Sequence, residues 1–258
     1  MGEFLLVEAL MRVAALYDIH ANLPALEAVL EEVRKSRADQ IIFGGDALPG
    51  PMPRETLALL RHLGVPAKFI TGNGDRVVLE YLAGKEPLEV PEQFREIIRW
   101  NARQLQPEDA QFLATLPKTL RLNLPGIGEV LFCHATPRND TEIFTRLTAE
   151  ARLLPVFATS AASLVVCGHT HMQFDRTVGG TRIVNAGSVG MPFGEPGAYW
   201  LLLGPAVELR RTDYDLASAA ARVRATAYPE AEDFAARDVL HPPSEQQILD
   251  AYSRAELK

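Results

Sequence analysis

The sequence predicts an α/β fold in which two mixed sheets pack face to face and helices cover their outer sides. Three observations carry this. Short apolar runs alternate with amphipathic stretches through the first third of the chain, the pattern of parallel strands joined by right-handed crossovers. From residue 120 onward the apolar runs come in pairs across Gly- and Pro-containing turns, the pattern of antiparallel hairpins. Helical character returns in an Ala-rich tail, and no fixed-period repeat or low-complexity tract interrupts the order.

Taken in order, Val13–Tyr17 is apolar enough to be a buried strand. Asn22 is a good N-cap, Pro24 is tolerated in a first turn, and Leu26, Val29, Leu30 and Val33 share one helical face. Gln40–Phe43 is a second strand, ending in Gly44-Gly45-Asp46. The proline-rich stretch Pro49–Pro53 leads into a helix with Leu59, Leu60 and Leu63 inward. Ala67–Ile70 is a third strand, followed by Thr71-Gly72-Asn73-Gly74-Asp75 and another helix. Residues 92–115 are helical and amphipathic, with Phe94, Ile97, Ile98 and Leu105 as the apolar set, and read as a cap over one end of the sheet.

Leu120–Leu124 and Glu129–Cys133 flank a Pro-Gly-Ile-Gly turn. Leu164–Cys167 is a further strand, and Gln173–Val178 with Thr181–Val184 flank Gly179-Gly180. Tyr199–Leu203 and Val207–Arg211 pair across Gly204-Pro205. The tail from Tyr214 is helical, interrupted near Pro229 and at Pro242-Pro243; packing back on the sandwich is a simpler account of it than dimer contacts. The expectation is one domain over 1–258: a core of about 12–211 with a βαβ half and a hairpin-rich half, a helical insertion or cap at about 84–115, and a helical extension at 212–258.

Composition narrows the function classes. The chain has 258 residues, 47% hydrophobic and 23% charged, with net charge −7. No dense Lys/Arg run offers a duplex-binding face, so a nucleic-acid partner is not expected. An anionic substrate stays open, because bound cations reverse the local potential. No run approaches the roughly 20 apolar residues of a membrane span. The start, MGEFLLVEALMRV, is broken by Glu3 and Glu8 and lacks a basic n-region, so a signal peptide is not expected; residues 1–10 read as a leader, or Met11 as the true start. Cys133 and Cys167 end apolar runs and read as small buried side chains, which points to a reducing cytoplasm.

Metal-capable residues gather at strand ends. Asp18-Ile19-His20 follows the first strand, Asp46 ends the second, Asn73 and Asp75 follow the third, His134 ends the 129–133 strand, and His169-Thr170-His171 follows the 164–167 strand. Ligands of open α/β sheets bind beyond the carboxyl ends of strands. In Asp18-x-His20 and His169-x-His171, side chains at i and i+2 share a direction if the backbone is extended. Imidazole with carboxylate suits Zn, Fe, Mn or Ni better than Mg or Ca. Singly, each has a plain structural reading: Asp18 and Asp46 as turn residues, His134 as a buried histidine. Four of the six histidines fall in this set; His62 sits near a helix end and His241 in a Pro-rich loop.

These blocks resemble the calcineurin-like metallophosphoesterase superfamily, small bacterial phosphodiesterase/phosphatase branch. Its D-x-H, G-D, G-N-x-D/E, lone H and G-H-T/S-H blocks correspond to Asp18-Ile19-His20, Gly45-Asp46, Gly72-Asn73-Gly74-Asp75, Cys133-His134 and Gly168-His169-Thr170-His171, in the family's order. Asn185-Ala186-Gly187-Ser188-Val189-Gly190 resembles its N-P-G-S-V-G block, with Ala186 where proline is usual. The resemblance spans roughly 12–211 and implies the αββα sandwich of that family. It implies one metal on Asp18, His20, Asp46 and His171 and a second on Asp46, Asn73, His134 and His169, with Mn favoured among Mn, Fe, Zn and Ni.

Two ions about 3.5–4 Å apart can hold a hydroxide for in-line attack on phosphorus. Asp46, Asn73 and His134 then act through that hydroxide, and no side-chain nucleophile is needed; Ser188 reads as a loop support. Many relatives carry histidine, thought to protonate the leaving group, where this chain has Gly74, and Asp75 loses the ring it would orient. Within the expected class of small phosphate esters, phosphodiesters and nucleotide anhydrides, substrates with stable leaving anions are therefore favoured: aryl esters or nucleotide anhydrides such as dinucleoside polyphosphates, ahead of alkyl monoesters. Arg138 is either a bidentate phosphate donor or a solvated loop arginine, and Arg76 is a weaker candidate. The alternatives are a nuclease of the same fold and a non-catalytic metal-binding scaffold. The sequence leaves monomer and homo-oligomer open.

Overall fold

The computed structural model describes residues 11–88 and 90–257. The reading of residues 1–10 as a leader lies outside them. The architecture is the expected α/β sandwich. One sheet has the order β10-β9-β1-β2-β3 and the other β4-β5-β6-β8-β7.

The first sheet begins with β1 (Val13–Leu16), α1 (Leu23–Lys35), β2 (Gln40–Phe43), α2 (Pro53–Arg61), β3 (Ala67–Phe69) and α3 (Asn73–Leu82). β1 pairs in parallel with β2, and β2 with β3. Asn22 caps α1, accepting the Ala25 N–H at 3.3 Å. Strand alternation divides β1: Ala14 and Leu16 face the helices, while Val13 and Ala15 face the second sheet. Both faces are covered, which is why the run is apolar throughout. α2 buries Leu57 and Leu60, with Leu59 and Leu63 only partly buried.

Residues 92–115 form two helices, α4 (Glu92–Gln104) and α5 (Pro107–Ala114). Pro107 fits the first turn of a new helix, and Asp109 accepts the Gln106 N–H at 3.0 Å. Of the expected apolar set, Ile98 is buried but Phe94 is 50% exposed.

The second sheet contains β4 (Thr119–Leu124), β5 (Gly128–Cys133), β6 (Leu164–Cys167), β7 (Phe174–Val178) and β8 (Thr181–Asn185). β4–β5 and β7–β8 are antiparallel hairpins, while β5, β6 and β8 run parallel. Helix α6 (Glu150–Phe157), whose internal Pro155 hid it from periodicity, covers the outer face with Leu153, Val156 and Phe157. Phe132, Val166 and Val184 fill the space between the sheets.

The division into a βαβ half and a hairpin-rich half is corrected by the last hairpin. β9 (Ala198–Leu203) and β10 (Val207–Thr212) join the first sheet, with β9 antiparallel to β1 through Val13↔Leu203 and Ala15↔Leu201. β1 thereby becomes an interior strand with no open edge. The tail forms α7 (Leu216–Arg224), the short α8 (Ala231–Phe234) running into a π-helical turn at Ala235–Leu240, and α9 (Glu245–Tyr252). It folds back on the body: Ala219, Val223, Tyr228 and Phe234 pack with Leu23 and Met52. Among the described residues no helix is long and apolar enough to cross a membrane.

Candidate metal centre

The loops after β1, β2, β5 and β6 and the start of α3 meet at one point. Asp18, His20, Asp46, His134 and His171 are buried there, with Asn73 and His169 partly exposed. Backbone geometry corrects the sequence argument. Asp18, His20, Asp46, His169 and His171 have φ of 53°, 48°, 53°, 66° and 58°. The paired i and i+2 side chains reach the centre from tight left-handed turns, not from extended strand. Non-glycine residues rarely adopt this region, and such outliers persist where the surroundings over-determine them.

The surroundings here are hydrogen bonds. Ser188 Oγ donates to Asp18 O at 2.7 Å, and the Val189 and Gly190 N–H groups donate to Tyr17 O and Asp18 O. Asn185 Nδ2 donates to Gly168 O at 2.6 Å and Thr170 Oγ1 at 3.0 Å, pinning the 168–171 loop. Asp75 accepts the N–H groups of Asp46, Leu48 and Gly72 at 2.9, 3.0 and 3.1 Å. Gly45, at φ +92°, lies where a Cβ would come within 2.6 Å of Gly72 N.

The imidazoles are oriented by carbonyls, which can only accept. Nδ1 of His20, His134 and His171 lies 3.2, 3.0 and 2.7 Å from Pro49 O, Gly44 O and Met191 O. Nδ1 therefore carries the proton, and Nε2 turns to the centre. His169 is reversed: Nε2 faces Thr141 O at 3.2 Å, leaving Nδ1 inward. Carbonyl partners on the outer nitrogen are the usual second layer of a metal-binding imidazole.

At the centre, His20 Nε2 and His171 Nε2 are 3.1 Å apart. Asp18 Oδ1 lies 3.4, 3.8 and 4.0 Å from Nε2 of His171, His134 and His20. Asp46 Oδ2 lies 3.5 Å from His134 Nε2 and 3.9 Å from His20 Nε2. One terminal atom of the Asn73 amide is 3.0 Å from both His134 Nε2 and His169 Nδ1. The buried Asp18 Oδ1 has no hydrogen-bond partner. An orphaned buried carboxylate oxygen is costly unless something cationic faces it. Asp18 with His20 and His171, and Asp18 with Asp46 and His134, converge closely enough to hold a cation each. The donor set fits divalent metal.

The charges point the same way. Burial disfavours an ionised Asp46, yet His134, His20 and His169 outweigh it and hold its carboxyl well below the ordinary range. Burial also opposes a charged His134, but Asp46 and Asp18 raise that ring to about 10. His169 is pushed down to about 4 by burial and by His134. Asp75 rises to about 7, through burial and then the charge on Asp46.

The remaining candidates are placed differently. Arg138 is bidentate to Glu142, with Nη2–Oε1 at 2.6 Å and Nε–Oε1 at 2.9 Å, beside a cleft of about 140 Å³ that reaches His134. Arg76 pairs with Asp140 at 2.7 Å and Glu80 at 3.2 Å. Gly74 donates its N–H to Asp46 Oδ1 at 2.8 Å, and a Cβ there would lie 2.3 Å from Leu48 O. His62 follows α2 and contacts Ala58 O, and His241 ends the π-helical turn. Cys133 and Cys167 are buried free thiols.

Sequence reasoning missed the support roles of Asp75 and Asn185 and gave the tail no part in the site. Asp75 was visible as an acidic residue three positions after Gly72, a capping arrangement that α3 uses. A cavity of about 600 Å³ opens at His20, Asp46 and Asn73, and its other walls come from α4 and from Tyr228, Phe234 and Asp238 of the tail. No sequence signal ties those tail residues to the centre.

Comparison with known proteins agrees with the fold. The model of the calcineurin-like phosphoesterase superfamily domain matches residues 11–203. The uncharacterised protein MJ0912 of Methanocaldococcus jannaschii is 31% identical over 179 residues, 69% of each chain. The crystal structure of a metallophosphoesterase from Sphaerobacter thermophilus superposes with TM-score 0.68 at 29% identity, over 88% of this chain and 98% of that one. The hypothetical protein PH1004 of Pyrococcus horikoshii shares the fold, with TM-score 0.76 at 21% identity over 91% and 100% of the two chains.

Proposed function

The chain belongs to the calcineurin-like phosphoesterase superfamily, and from that premise we propose that it is a metal-dependent phosphoesterase hydrolysing small phosphate esters, phosphodiesters or nucleotide anhydrides. The observation that carries the reading is the inward convergence of seven side chains around the unpartnered Asp18 Oδ1. Asp18, His20, Asp46 and His171 would hold one ion, and Asp46, Asn73, His134 and His169 a second, with Mn ahead of Fe, Zn and Ni. When bound, such ions supply Lewis acidity toward phosphoryl oxygens and lower the pKa of water.

The chain's own residues do the positioning. Outer-nitrogen contacts to Gly44, Pro49, Thr141 and Met191 carbonyls fix the four rings. The Gly74 N–H holds Asp46 Oδ1, leaving Oδ2 turned toward His134 and His20. No side chain at position 74 can protonate a leaving group. That favours aryl esters and anhydrides, whose leaving groups are stable as anions. A phosphate contact from Arg138 requires exchange of its Glu142 partner. Net charge −7 without a basic stripe disfavours the nuclease alternative. We read residues 84–115 as a cap on a single domain. The two free buried thiols fit a reducing cytoplasm.

The test is metal analysis combined with hydrolysis of bis(4-nitrophenyl) phosphate across Mn, Fe, Zn, Ni and Mg. Wild-type protein is expected to bind two ions and turn over the diester, and Asp46→Ala to lose both properties. Retention of metal and activity by Asp46→Ala would sink the reading.

A further inference from the structure

The seven inward side chains account for a phosphate, and the cavity beside them is far larger than a phosphate. Its volume of about 600 Å³ lies within the range of about 300–1,000 Å³ that encloses whole small organic ligands. His20, Asp46 and Asn73 form one end. Much of the rest is a wall of aromatic and aliphatic side chains from segments outside the sheets: Phe94 and Ile97 from α4, Phe193 from the loop before β9, and Tyr228 and Phe234 from the tail.

Several of these rings are already held. Phe193 stacks on the His171 ring at 5.3 Å and 21°. Tyr228 meets Trp100 edge-on at 5.3 Å and Phe234 at 6.0 Å. Phe94 contributes to the wall yet is 50% exposed. Polar side chains also line the cavity: Gln93, Glu230, Asp233 and Arg237 are exposed, whereas Asp238, on the π-helical turn, is half-buried and its carboxyl has no hydrogen-bond or ion-pair partner among the described residues.

We propose that this cavity binds the organic part of the substrate, and that it takes a flat, nitrogen-bearing aromatic group the size of a nucleobase, joined to the phosphate held at the metal centre. The assignment rests on the phosphoesterase reading and names its substrate class. A flat ring stacks on aromatic faces such as Phe94 and Phe193, and a ring N–H supplies the donor that the Asp238 carboxyl lacks. An acyl chain would match the apolar wall but strip water from Asp238 without replacing its hydrogen bonds.

The test compares two diesters with the same leaving group, thymidine 5′-(4-nitrophenyl) phosphate and methyl 4-nitrophenyl phosphate, on metal-loaded enzyme. Stacking of one base predicts a kcat/KM ratio of about tenfold or more in favour of the nucleoside ester. The ratio should fall toward unity in Phe94→Ala, whose exposed side chain can be removed without opening the core, and in Phe193→Ala. Leu209→Ala, on exposed β10, should leave the ratio unchanged. A wild-type ratio near unity, or a ratio that survives both cavity variants, overturns the proposal. A third diester, hexyl 4-nitrophenyl phosphate, tests for a chain-binding pocket: a preference over the methyl ester equal to or larger than that of the nucleoside ester overturns the proposal.

If neither ester is cleaved with any metal, the phosphoesterase reading fails while the cavity is still decided by binding. Equilibrium dialysis with thymidine alone then shows saturable binding that Phe94→Ala weakens, or it shows none and the assignment falls.

Discussion

The Asp75 carboxylate accepts the backbone N–H of Asp46 at 2.9 Å, tying the start of α3 to the loop that carries one of the two buried carboxylates of the site. Asp75 does not face the proposed ions. It works through Asp46, closing the turn with two further bonds from Leu48 and Gly72. Asp75→Asn replaces an acceptor oxygen by an N–H₂ that faces donors. The expected cost is about 1–3 kcal/mol for each buried N–H left unpaired. Thermal unfolding should show a lower Tm, and metal titration a weaker affinity. Unchanged metal affinity would show that Asp75 is only a helix cap.

Gly74 gives a second prediction. A Cβ at this position would stand 2.3 Å from Leu48 O, 2.9 Å from Pro49 Cδ and 3.1 Å from Asp46 Oδ1. Placing the family's histidine here therefore displaces the Asp46–Pro49 loop instead of restoring an acid. Gly74→His should lower Tm, by about 1–3 kcal/mol of overpacking, and lower kcat on alkyl and aryl esters alike. A selective gain on alkyl esters would show that the loop can move aside and that the missing acid was the limitation.

Asn185 tests the loop that carries two histidines. Its side chain is fully buried and bonds Gly168 O, Thr170 Oγ1 and the Gly187 N–H at 2.6, 3.0 and 2.8 Å. Asn185→Leu keeps much of the volume and removes all three bonds. The left-handed turns at His169 and His171 then lose their support, so bound metal should fall below the wild-type ratio under equal free metal. Inductively coupled plasma analysis after dialysis measures this. Full metal occupancy would mean that the turns hold themselves.

A pH prediction follows from Asp238. Burial, reinforced by Asp233 and opposed by His171 and Arg237, raises its carboxyl from 3.8 to about 7. Between these values the folded protein holds a proton that the unfolded chain has released. Asp238 thus makes stability fall as pH rises from about 4 through about 7, and adds no further slope above that. Asn mimics the neutral acid. The Tm of Asp238→Asn relative to wild type should be near zero difference at pH 4 and positive at pH 8. An equal Tm difference at both pH values would remove the titration from the explanation.

The metal-capable residues were legible because each is local: a short apolar run followed by Asp18, Asp46 or His134 marks the carboxyl end of a strand whatever the rest of the chain does. The strands themselves were legible from burial, since Val13–Leu16, Gln40–Phe43 and Leu164–Cys167 are covered on both faces and read as apolar runs. α6 was not, because Pro155 breaks the helical pattern that tertiary packing restores.

Long-range packing decided the rest. The left-handed backbone at Asp18, His20, Asp46, His169 and His171 is unfavourable locally and is set by bonds from Ser188, Asn185 and Asp75, which lie far away in sequence. The return of β9 beside β1 also depends on which surfaces meet once the chain is compact. The same holds for Tyr228, Phe234 and Asp238, which border the centre only because the tail folds over α1. Sequence alone marked which residues are candidates to hold metal ions. The tertiary structure decided what encloses them, because enclosure is a sum of contacts between distant segments that no local pattern encodes.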